Sequence, residues 1–257
     1  NIPEHSPLLK ALDLYCPHGC YKKASEWTTH WTLALPKQPG FLLKNMRSKH
    51  RSWISSRKKK LDSAYPGKVS WQWISSFEDI ADTTARLEVL AAHTYQRGLG
   101  SGFINDEEHR QRFKLFAERG QLRVQLIEIE GKVKAFWIGQ VYKGVFFSAE
   151  TAYDPDYRSY ELGTLIFFNM VDELVREGVS KIDFGLGDAF YKERYGDVNW
   201  RETNIILFAP NFKGLLFRSI SGCFNMIDNT LRRLLQKTGA LNRVKTSLRR
   251  LIQRKSK

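Results

Sequence analysis

Residues 181–197, KIDFGLGDAFYKERYGD, concentrate side chains that can do chemistry: carboxylates, phenols, amines and closely spaced glycines. The DFG at 183–185 matches the magnesium-binding tripeptide of protein kinases, and the overlapping Gly-x-Gly could belong to a nucleotide loop. A kinase also requires a glycine-rich loop, a strand lysine and an His-Arg-Asp loop upstream of DFG. The His-Arg pair at 109–110 is followed by Gln within a helical pattern, and the GLGSG at 98–102 follows a helix. The sequence therefore excludes a kinase.

A second candidate site lies where a predicted strand gives way to a helix, in SAETAYDPDYRSYELGTLIFFNM at 148–170. The chain turns at Asp154-Pro155, and the helix opens near Gly163. Unpaired amides and the helix dipole converge at such a start and attract anions. Arg158 precedes Gly163 by five residues and adds a positive charge. The spacing indicates an anion site, although an ordinary solvated turn with a stray arginine explains the same residues.

Hydrophobic periodicity predicts the elements that must position these two segments. Helices are expected at 42–61, 76–98, 105–120 (with Asn105 as N-cap) and 162–178, and strands at 69–75, 121–130, 132–142, 145–155, 180–185 and 202–209. The three central strands are separated by Gly-Lys and Lys-Gly, which are short enough for hairpins. The apolar run 165–171 is expected in the core, and the proline-rich first forty residues are expected to be irregular. This order predicts an α+β fold.

The order of the motifs resembles the CelD-like branch of the GNAT acyltransferases, which is associated with bacterial exopolysaccharide or cellulose biosynthesis. The motifs, within residues 40–210, are MRSKHRSWISSRKKKL, HTYQRGLGSGF, GQLRVQLIEIEGKVKAFWIG, AYDPDYRSYELGT and IDFGLGDAFYKERYG. The segment from Arg158 to Gly163 resembles the family's pyrophosphate loop, Q/R-x-x-G-x-G/A, with Glu161 in place of the first glycine. The chain also resembles the Fem-type transferases, which use aminoacyl-tRNA and have two GNAT-like halves.

The resemblance implies a GNAT-like fold, with a mixed, mostly antiparallel central sheet flanked by helices and a basic C-terminal helical extension. It also implies an enzyme, an acyltransferase that takes acyl-CoA, such as acetyl-CoA, as its donor. The residues expected to hold coenzyme A are Arg158, Ser159, Tyr160, Leu162, Gly163 and Thr164.

Acyl transfer needs a base for the incoming amine or hydroxyl, a donor that polarises the thioester carbonyl, and an acid for the leaving thiolate. In a GNAT-like layout Glu150 lies on the strand facing the cofactor cleft and is the candidate base. Asp188 is a second base or orients the acceptor, Tyr191 is the candidate acid, and Lys192 binds a phosphate or polarises a carbonyl. Each residue also has a structural interpretation, as a solvent-facing carboxylate, a helix cap or a packing side chain.

The net charge of +14 is concentrated in two segments. Residues 44–60 contain eight Lys or Arg and no acid, and residues 211–257 contain twelve against one acid, so the rest of the chain is mildly acidic. Such segments imply a polyanionic partner or a membrane surface rather than a basic active site. The predicted parts are an N-terminal extension or partial GNAT-like half at 1–64, an acyltransferase domain at 65–210 and a basic amphipathic tail at 211–257.

The tail is expected to form two helices that break near residues 237–241, each with an apolar side. It could lie on anionic lipid or hold tRNA phosphates, and a docked helical extension is the simplest alternative. The continuous apolar stripe favours lipid or docking over tRNA.

These observations predict an acyl-CoA-dependent N- or O-acyltransferase that acts on a sugar, lipid or peptide in polysaccharide or cell-envelope metabolism. An aminoacyl-tRNA-dependent Fem-type transferase is the second hypothesis. The third is a non-catalytic GNAT-fold module whose basic ends bind a membrane surface or nucleic acid.

Other signals bear on metals and location. Cys16, His18 and Cys20 lack a second ligand pair at zinc-finger spacing, and His93 and His109 lie in helical stretches and are expected to be structural, so no metal site is predicted. Three cysteines cannot form a disulfide framework, and no apolar run reaches membrane-spanning length. The chain starts with Asn and has no leader, so we expect no secretory signal and a missing natural start. We therefore expect the protein in the cytoplasm, where it could also bind peripherally to the inner face of the membrane.

Overall fold

The computed structural model describes residues 1–15, 20–94, 97, 102–187 and 189–237. The strands are β1 (Ile2–Pro3), β2 (Tyr21–Ala24), β3 (Thr28–Ala34), β4 (Val69–Ile74), β5 (Leu122–Ile129), β6 (Lys132–Tyr142), β7 (Val145–Tyr153), β8 (Lys181–Leu186), β9 (Val198–Thr203) and β10 (Ile205–Phe208). The helices are α1 (Pro7–Tyr15), α2 (Phe41–Asn45), α3 (Ser48–Ala64), α4 (Phe77–Ala92), α5 (Glu107–Glu118), α6 (Leu162–Arg176), α7 (Phe190–Tyr195), α8 (Phe212–Lys237) and a 3-10 helix (Pro155–Tyr160). A central unit comprises residues 32–185, and a terminal unit comprises residues 1–31 with the described residues from 186 onward.

The sheet of the central unit is mixed and mostly antiparallel, which confirms that prediction. β4, β5, β6 and β7 pair antiparallel in that order, β8 joins β7 in parallel, and β3 follows β8. Two-residue turns, Glu130-Gly131 and Lys143-Gly144, connect β5 to β6 and β6 to β7, and all four residues have positive φ. Such turns match the twist of the strands they join. The predicted hairpins are therefore present, the first of them one residue earlier than expected.

Helices cover both faces of this sheet. Phe136 and Trp137 are neighbours in β6, so their side chains point to opposite faces. Phe136 contacts Phe103, which belongs to the apolar cluster beneath α4 and α5. Trp137 lies on the other face, 5.7 Å between ring centres from Phe167 of α6. The run 165–171 in α6 is largely buried, as predicted, and the α+β class is confirmed.

The first forty residues are more regular than the sequence indicates. They contain α1 and three strands, of which β1 pairs with β9 and β2 pairs with β10. The single late strand expected at 202–209 is two strands, β9 and β10. These predictions are wrong because the partners come from opposite ends of the chain, where a local pattern cannot reveal them.

The predicted basic helix at 42–61 is divided into α2 and α3. The break falls at Met46 and Arg47, whose backbone is extended. The Arg51 guanidinium donates to the carbonyl oxygens of Lys44 and Met46, 3.0 and 2.6 Å away. It thereby supplies donors to carbonyl groups that have no intrahelical partner at the end of α2.

The terminal unit holds two small groups of strands. β9 pairs with β1, and β2 pairs with β10. The Asn211 side chain caps α8 by accepting the Gly214 amide at 2.8 Å. Residues 238–257, with the predicted helix break, lie outside the described residues. None of the described helices is long and apolar enough to cross a membrane. The predicted boundaries at 64/65 and 210/211 stay predictions.

Candidate active site

The parallel pair of β7 and β8 is short. Residues 145–147 pair with residues 181–183, and both strands continue past these positions. Over the described residues the ladder ends there, so the backbone groups of β7 beyond Phe147 that face β8 have no ladder partner and can pair with a ligand.

A β-bulge shapes the same part of β7. Ile138 of β6 faces Glu150, whereas Gly139 faces Ser148, so Ala149 has no partner across the pair. Bulges re-aim side chains and are common beside active sites. The bulge therefore sets the direction of Glu150.

The bulge depends on the absence of a side chain at Gly139. A Cβ there would lie 2.3 Å from the Phe146 ring and 2.4 Å from the Phe147 carbonyl oxygen. Neither distance is compatible with a side chain, since the second atom belongs to the backbone. Glycine is required at this position for packing rather than for an unusual φ.

Glu150, the predicted base, is held by two side chains of α5. Arg112 Nη2 donates to Glu150 Oε1 at 2.7 Å, and His109 Nε2 lies 3.4 Å from the same oxygen. The Glu150 side chain is 13% exposed. Its second oxygen, Oε2, is buried, and no described protein group donates to it. Because buried carboxylate oxygens almost always have a donor, this oxygen is suited to receive one from a substrate.

His109 connects Glu150 to a second carboxylate. Asp106, rather than the expected Asn105, is the N-cap of α5, and its Oδ1 accepts the His109 amide at 2.9 Å. His109 Nδ1 lies 2.6 Å from the same oxygen. The backbone and side-chain hydrogen bonds from His109 hold the pKa of Asp106 below its ordinary value. When the Nδ1 proton is donated to Asp106, Nε2 is the ring atom that faces Glu150.

Sequence alone indicated a structural role for His109, because a lone histidine in a helix carries little signal. Asp106, His109 and Arg112 recur at intervals of three and therefore share one side of α5. That Asp-x-x-His-x-x-Arg spacing is the signal that could have found the cluster. Its proximity to Glu150 depends on how α5 packs on the sheet and could not be found locally.

The predicted coenzyme A loop forms the 3-10 helix after β7 and the first turn of α6. Arg158 and Ser159 are exposed, Leu162 is buried, and Tyr160, Gly163 and Thr164 are half-buried. The Thr164 amide donates to the Glu161 carbonyl oxygen at 2.9 Å, whereas the amides of Leu162 and Gly163 precede the first hydrogen-bonded turn, and the dipole of this 15-residue helix adds positive potential there. A Cβ at Gly163 would lie 3.3 Å from the Tyr153 ring, so glycine lets α6 begin directly against the end of β7. This start can bind a phosphate group.

Glu161, the N-cap of α6, has left-handed backbone angles, φ 57° and ψ 44°, and no side-chain cap hydrogen bond. Glycine adopts this conformation without strain, which gives a physical reason for glycine in the family pattern that the loop resembles. The substitution of glutamate therefore keeps a glycine-like backbone path and adds a carboxylate beside it.

The basic helix α3 contacts this loop. Arg57 Nη1 donates to the Ser159 carbonyl oxygen at 3.3 Å, and Lys60 Nζ lies 5.1 Å from the centre of the Tyr160 ring. Among the described residues, the acid that pairs with a cation of α3 is Asp62, 2.8 Å from Lys58. The helix α3 therefore borders the loop within the central unit.

Three tyrosines support the turn that leads into α6. The rings of Tyr65, Tyr157 and Tyr160 lie about 6 Å apart between centres. Lys134 Nζ lies 4.6 Å from the Tyr157 ring centre and 2.8 Å from Asp154 Oδ2. The hydrogen bond with Tyr157 raises the pKa of Tyr65 above its ordinary value. These contacts fix the path of the loop before the helix starts.

The other predicted catalytic residues belong to the terminal unit or lie outside the described residues. Lys192 of α7 is 8% exposed, and its Nζ donates to the Leu186 carbonyl oxygen at 2.5 Å. Tyr191 is half-buried in α7. Asp188 lies outside the described residues. A buried ammonium group held by a carbonyl is a positioned donor, and its role in catalysis stays a prediction.

The DFG carboxylate has a local role. Asp183 Oδ1 accepts the Gly185 amide at 2.8 Å, where Gly185 has φ 68°. Within the part of the chain that the structure describes, no three His, Cys, Asp or Glu side chains are placed to hold a metal ion. Cys16 and His18 lie outside that part.

Comparison with known sequences gives one family. Residues 48–193 match the profile described as Acetyltransferase (GNAT) domain, which covers more than half of the chain. The matched region begins with α3, includes the bulged strand and the loop, and ends within α7. No curated protein sequence matches the chain. The match is to the GNAT domain as a whole, so membership of the CelD-like branch stays a prediction.

The solved structure of FemX has a similar fold. FemX has a TM-score of 0.51 and 11% identity, covering 76% of this chain and 67% of its own. A conserved protein of unknown function from Bacteroides thetaiotaomicron has a TM-score of 0.49 and 12% identity, covering 78% and 66%. A GCN5-related N-acetyltransferase from Kribbella flavida has a TM-score of 0.41 and 14% identity, covering 72% and 58%. The chain thus spans about two thirds or less of the length of these proteins.

Proposed function

Because its residues 48–193 match the domain profile, the chain belongs to the GNAT acetyltransferase family, and we propose that it transfers an acyl group from acyl-CoA to an amine or hydroxyl. The observation that carries this proposal is the buried Oε2 of Glu150, beside the end of the β7–β8 ladder. Oε2 accepts the proton of the incoming amine or hydroxyl, which then attacks the thioester carbonyl.

Three side chains on α5 support this base. Arg112 and His109 both approach Oε1, which leaves Oε2 for the acceptor. Asp106 orients His109 through Nδ1, so Nε2 faces Oε1 and helps to fix the carboxylate. After the product leaves, the proton on Oε2 passes to water, and the carboxylate is ready for a second acceptor.

The donor is held at the start of α6. The first amides of the helix and the exposed Arg158 bind the pyrophosphate of acyl-CoA, and the thioester supplies the activated carbonyl. Arg57 lies against the same loop and adds a second positive charge. The free backbone edge of β7 beyond Phe147 binds the amide-containing arm of the donor.

The acceptor class is a sugar, lipid or peptide, and the motif order that resembles the CelD-like branch favours polysaccharide or cell-envelope metabolism. Tyr191 protonates the leaving thiolate, and Lys192 polarises a carbonyl or binds a phosphate. Asp188 orients the acceptor. These assignments rest on residue type and on the resemblance.

A thermal-shift screen of acyl-CoA donors tests the donor class. A ligand present at about 100 times its Kd stabilises the native state by about 2.7 kcal/mol, which is a shift of roughly 5–10 °C for a chain of this size. Arg158→Ala should reduce that shift, and Arg119→Ala, an exposed arginine at the end of α5, should not. No shift with any acyl-CoA at millimolar concentration would refute the proposal.

A second candidate donor is aminoacyl-tRNA, favoured by the cationic helix α3. This helix contacts the loop through Arg57 and Lys60, and its exposed cations continue back to Lys49, about 16 Å from Lys60 along the axis, which is longer than one nucleotide. A polymer of phosphates could follow it. tRNA binding that weakens steeply with salt, together with no response to acyl-CoA, would favour this candidate. Saturable acyl-CoA binding without tRNA binding would exclude it.

A further inference from the structure

Helix α8 is attached to the terminal unit by its small and polar side. Gly214 is buried, and a Cβ there would lie 2.1 Å from the Ala209 carbonyl oxygen. Arg218 lies over the Tyr21 ring, 3.6 Å from its centre. Lys23 Nζ donates to Ser221 Oγ at 2.6 Å. Gly214, Arg218 and Ser221 are spaced four and three apart, so they form one side of the helix.

The large apolar side chains of α8 remain at the surface. They are exposed by between 44% and 79%, and they are Phe212, Leu215, Leu216, Phe217, Ile220, Phe224 and Met226. Phe212, Leu216, Ile220 and Phe224 recur every four residues and form a ridge roughly opposite Gly214 and Ser221. An ordinary surface helix buries its apolar side and exposes its polar side. In α8 this arrangement is reversed, and exposed apolar surface on this scale marks an interaction site.

The positive charge of α8 and of the tail that follows it indicates which partner covers this ridge. No acid occurs between Thr203 and Ile227, and the tail from 211 to 257 has twelve Lys or Arg against Asp228 alone. A second copy of the chain would bring two strongly positive tails together, which is electrostatically unfavourable. An anionic bilayer offers an apolar layer for the ridge and negative charge for the flanking cations, each of which strengthens binding near such a surface.

We propose that α8 lies in the plane of an anionic membrane, with the Phe212–Leu216–Ile220–Phe224 ridge in the acyl region and Lys213 at the headgroup level. Phenylalanine side chains at both ends of the ridge match the shallow insertion of interfacial helices. Lys213 is exposed and lies three residues before Leu216, on the same side of the helix, so its alkyl stem lies along the apolar surface while its ammonium group contacts lipid phosphate. This binding does not depend on the acyl-transfer proposal.

Cosedimentation of the full chain with lipid vesicles tests this proposal. The chain should bind vesicles of phosphatidylcholine that contain about 30 mol% phosphatidylglycerol more tightly than vesicles of pure phosphatidylcholine. Binding to the anionic vesicles should weaken when the salt concentration is raised to about 0.5 M. Phe212→Ser with Phe224→Ser should weaken binding at least tenfold. Leu14→Ser with Val89→Ser removes two equally exposed apolar side chains elsewhere and should leave binding unchanged.

A label on α8 reports directly on its position. Cys223 is exposed and adjoins the ridge, so an environment-sensitive fluorophore there, with Cys16 and Cys20 replaced by serine, should shift to the blue on adding anionic vesicles. Three results would overturn the proposal: no binding to anionic vesicles, equal binding by the Phe212→Ser/Phe224→Ser variant, or an unshifted label on bound protein. A dimer in ultracentrifugation that this variant dissociates, without vesicle binding, would show that a second copy covers the ridge instead.

Discussion

The left-handed residue at the start of α6 offers a sharp test of the donor site. We expect Glu161→Gly to tighten acyl-CoA binding about tenfold. Glu161 has φ 57° and ψ 44°, angles that glycine adopts freely. The substitution therefore keeps the backbone path of the loop and removes one carboxylate from the predicted pyrophosphate site.

Glu161→Gly should change both the stability of the fold and the affinity for acyl-CoA, and the two effects have different physical origins. Glycine at position 161 removes the strain of a left-handed non-glycine residue, which stabilises the folded state by about 1–2 kcal/mol. The greater freedom of glycine in the unfolded chain costs about 0.5–1 kcal/mol, so the unfolding free energy should rise by about 1 kcal/mol. A carboxylate about 6 Å from a phosphate charge repels it by about 0.7 kcal/mol at the dielectric constant of water and about 2.8 kcal/mol at about 20. The geometric mean of these two repulsion energies is about 1.4 kcal/mol, which corresponds to a tenfold change in Kd.

Titration calorimetry with acetyl-CoA measures the change in affinity, and urea unfolding measures the change in stability. Glu130→Gly is the matched control, because Glu130 also has a left-handed backbone, φ 54°, and lies in the β5–β6 turn. It loses a carboxylate that forms an exposed ion pair with Lys68, and such pairs contribute little to stability. The control should bind acetyl-CoA as the unmodified chain does.

Unchanged affinity in Glu161→Gly would refute the reasoning, because the carboxylate would then not face the pyrophosphate. Weaker binding would contradict it more strongly, since Glu161 itself would then contact the ligand. A tenfold gain shared by Glu130→Gly would show that general charge, rather than the loop, controls affinity.

Three further predictions concern the base and its supports. Glu150→Gln should keep acetyl-CoA affinity but lower kcat, measured with an acceptor that the enzyme uses, at least about a hundredfold, because an amide cannot take the proton. An unchanged kcat would exclude Glu150 as the base. Asp106→Asn keeps a helix cap but removes the negative charge beside His109. Because hydrogen bonds lower the pKa of Asp106 in the folded state, its carboxylate stabilises the fold fully above the unfolded-state pKa of about 3.9, and this stabilisation is lost as pH falls through the lower folded-state pKa. The unmodified chain should therefore melt at a higher temperature than the variant at pH 6 (about 2 units above that value), and the two melting temperatures should converge as the pH is lowered. A difference in melting temperature that does not change with pH would contradict this. Gly139→Ala should lower the unfolding free energy by about 1–3 kcal/mol in urea titrations, because its Cβ meets backbone, whereas Gly222→Ala on α8 meets open space and should not; equal effects would contradict the packing argument.

The parts of the fold that local patterns encode could be predicted from the sequence. The Lys143-Gly144 turn has the φ values that such a hairpin needs, and the apolar run in α6 is long enough to specify a buried helix. β1 and β2 could not be predicted, because they are short and their hydrogen-bond partners are β9 and β10. The break between α2 and α3 was equally hidden, since Arg51 holds it through backbone carbonyls that look ordinary in sequence.

The candidate site divides in the same way. The anion-binding start of α6 follows from a strand, a turn and a helix in succession, all of which are visible locally. Glu150 was found through the resemblance, but its pairing with Arg112 and His109 was not. Those contacts arise only when α5 packs across β7, so residues distant in sequence become neighbours. The position of α3 beside the loop has the same tertiary origin.

Hydrogen exchange of the amides between residues 158 and 164, with and without saturating acetyl-CoA, tests the central claim most directly. Backbone amides that bind a pyrophosphate exchange slowly because each donates a hydrogen bond to the ligand. The acyl-CoA account predicts marked protection at the start of α6 and none in the β5–β6 turn. Unchanged exchange at residues 158–164 under saturation, or protection confined to other segments, would contradict it.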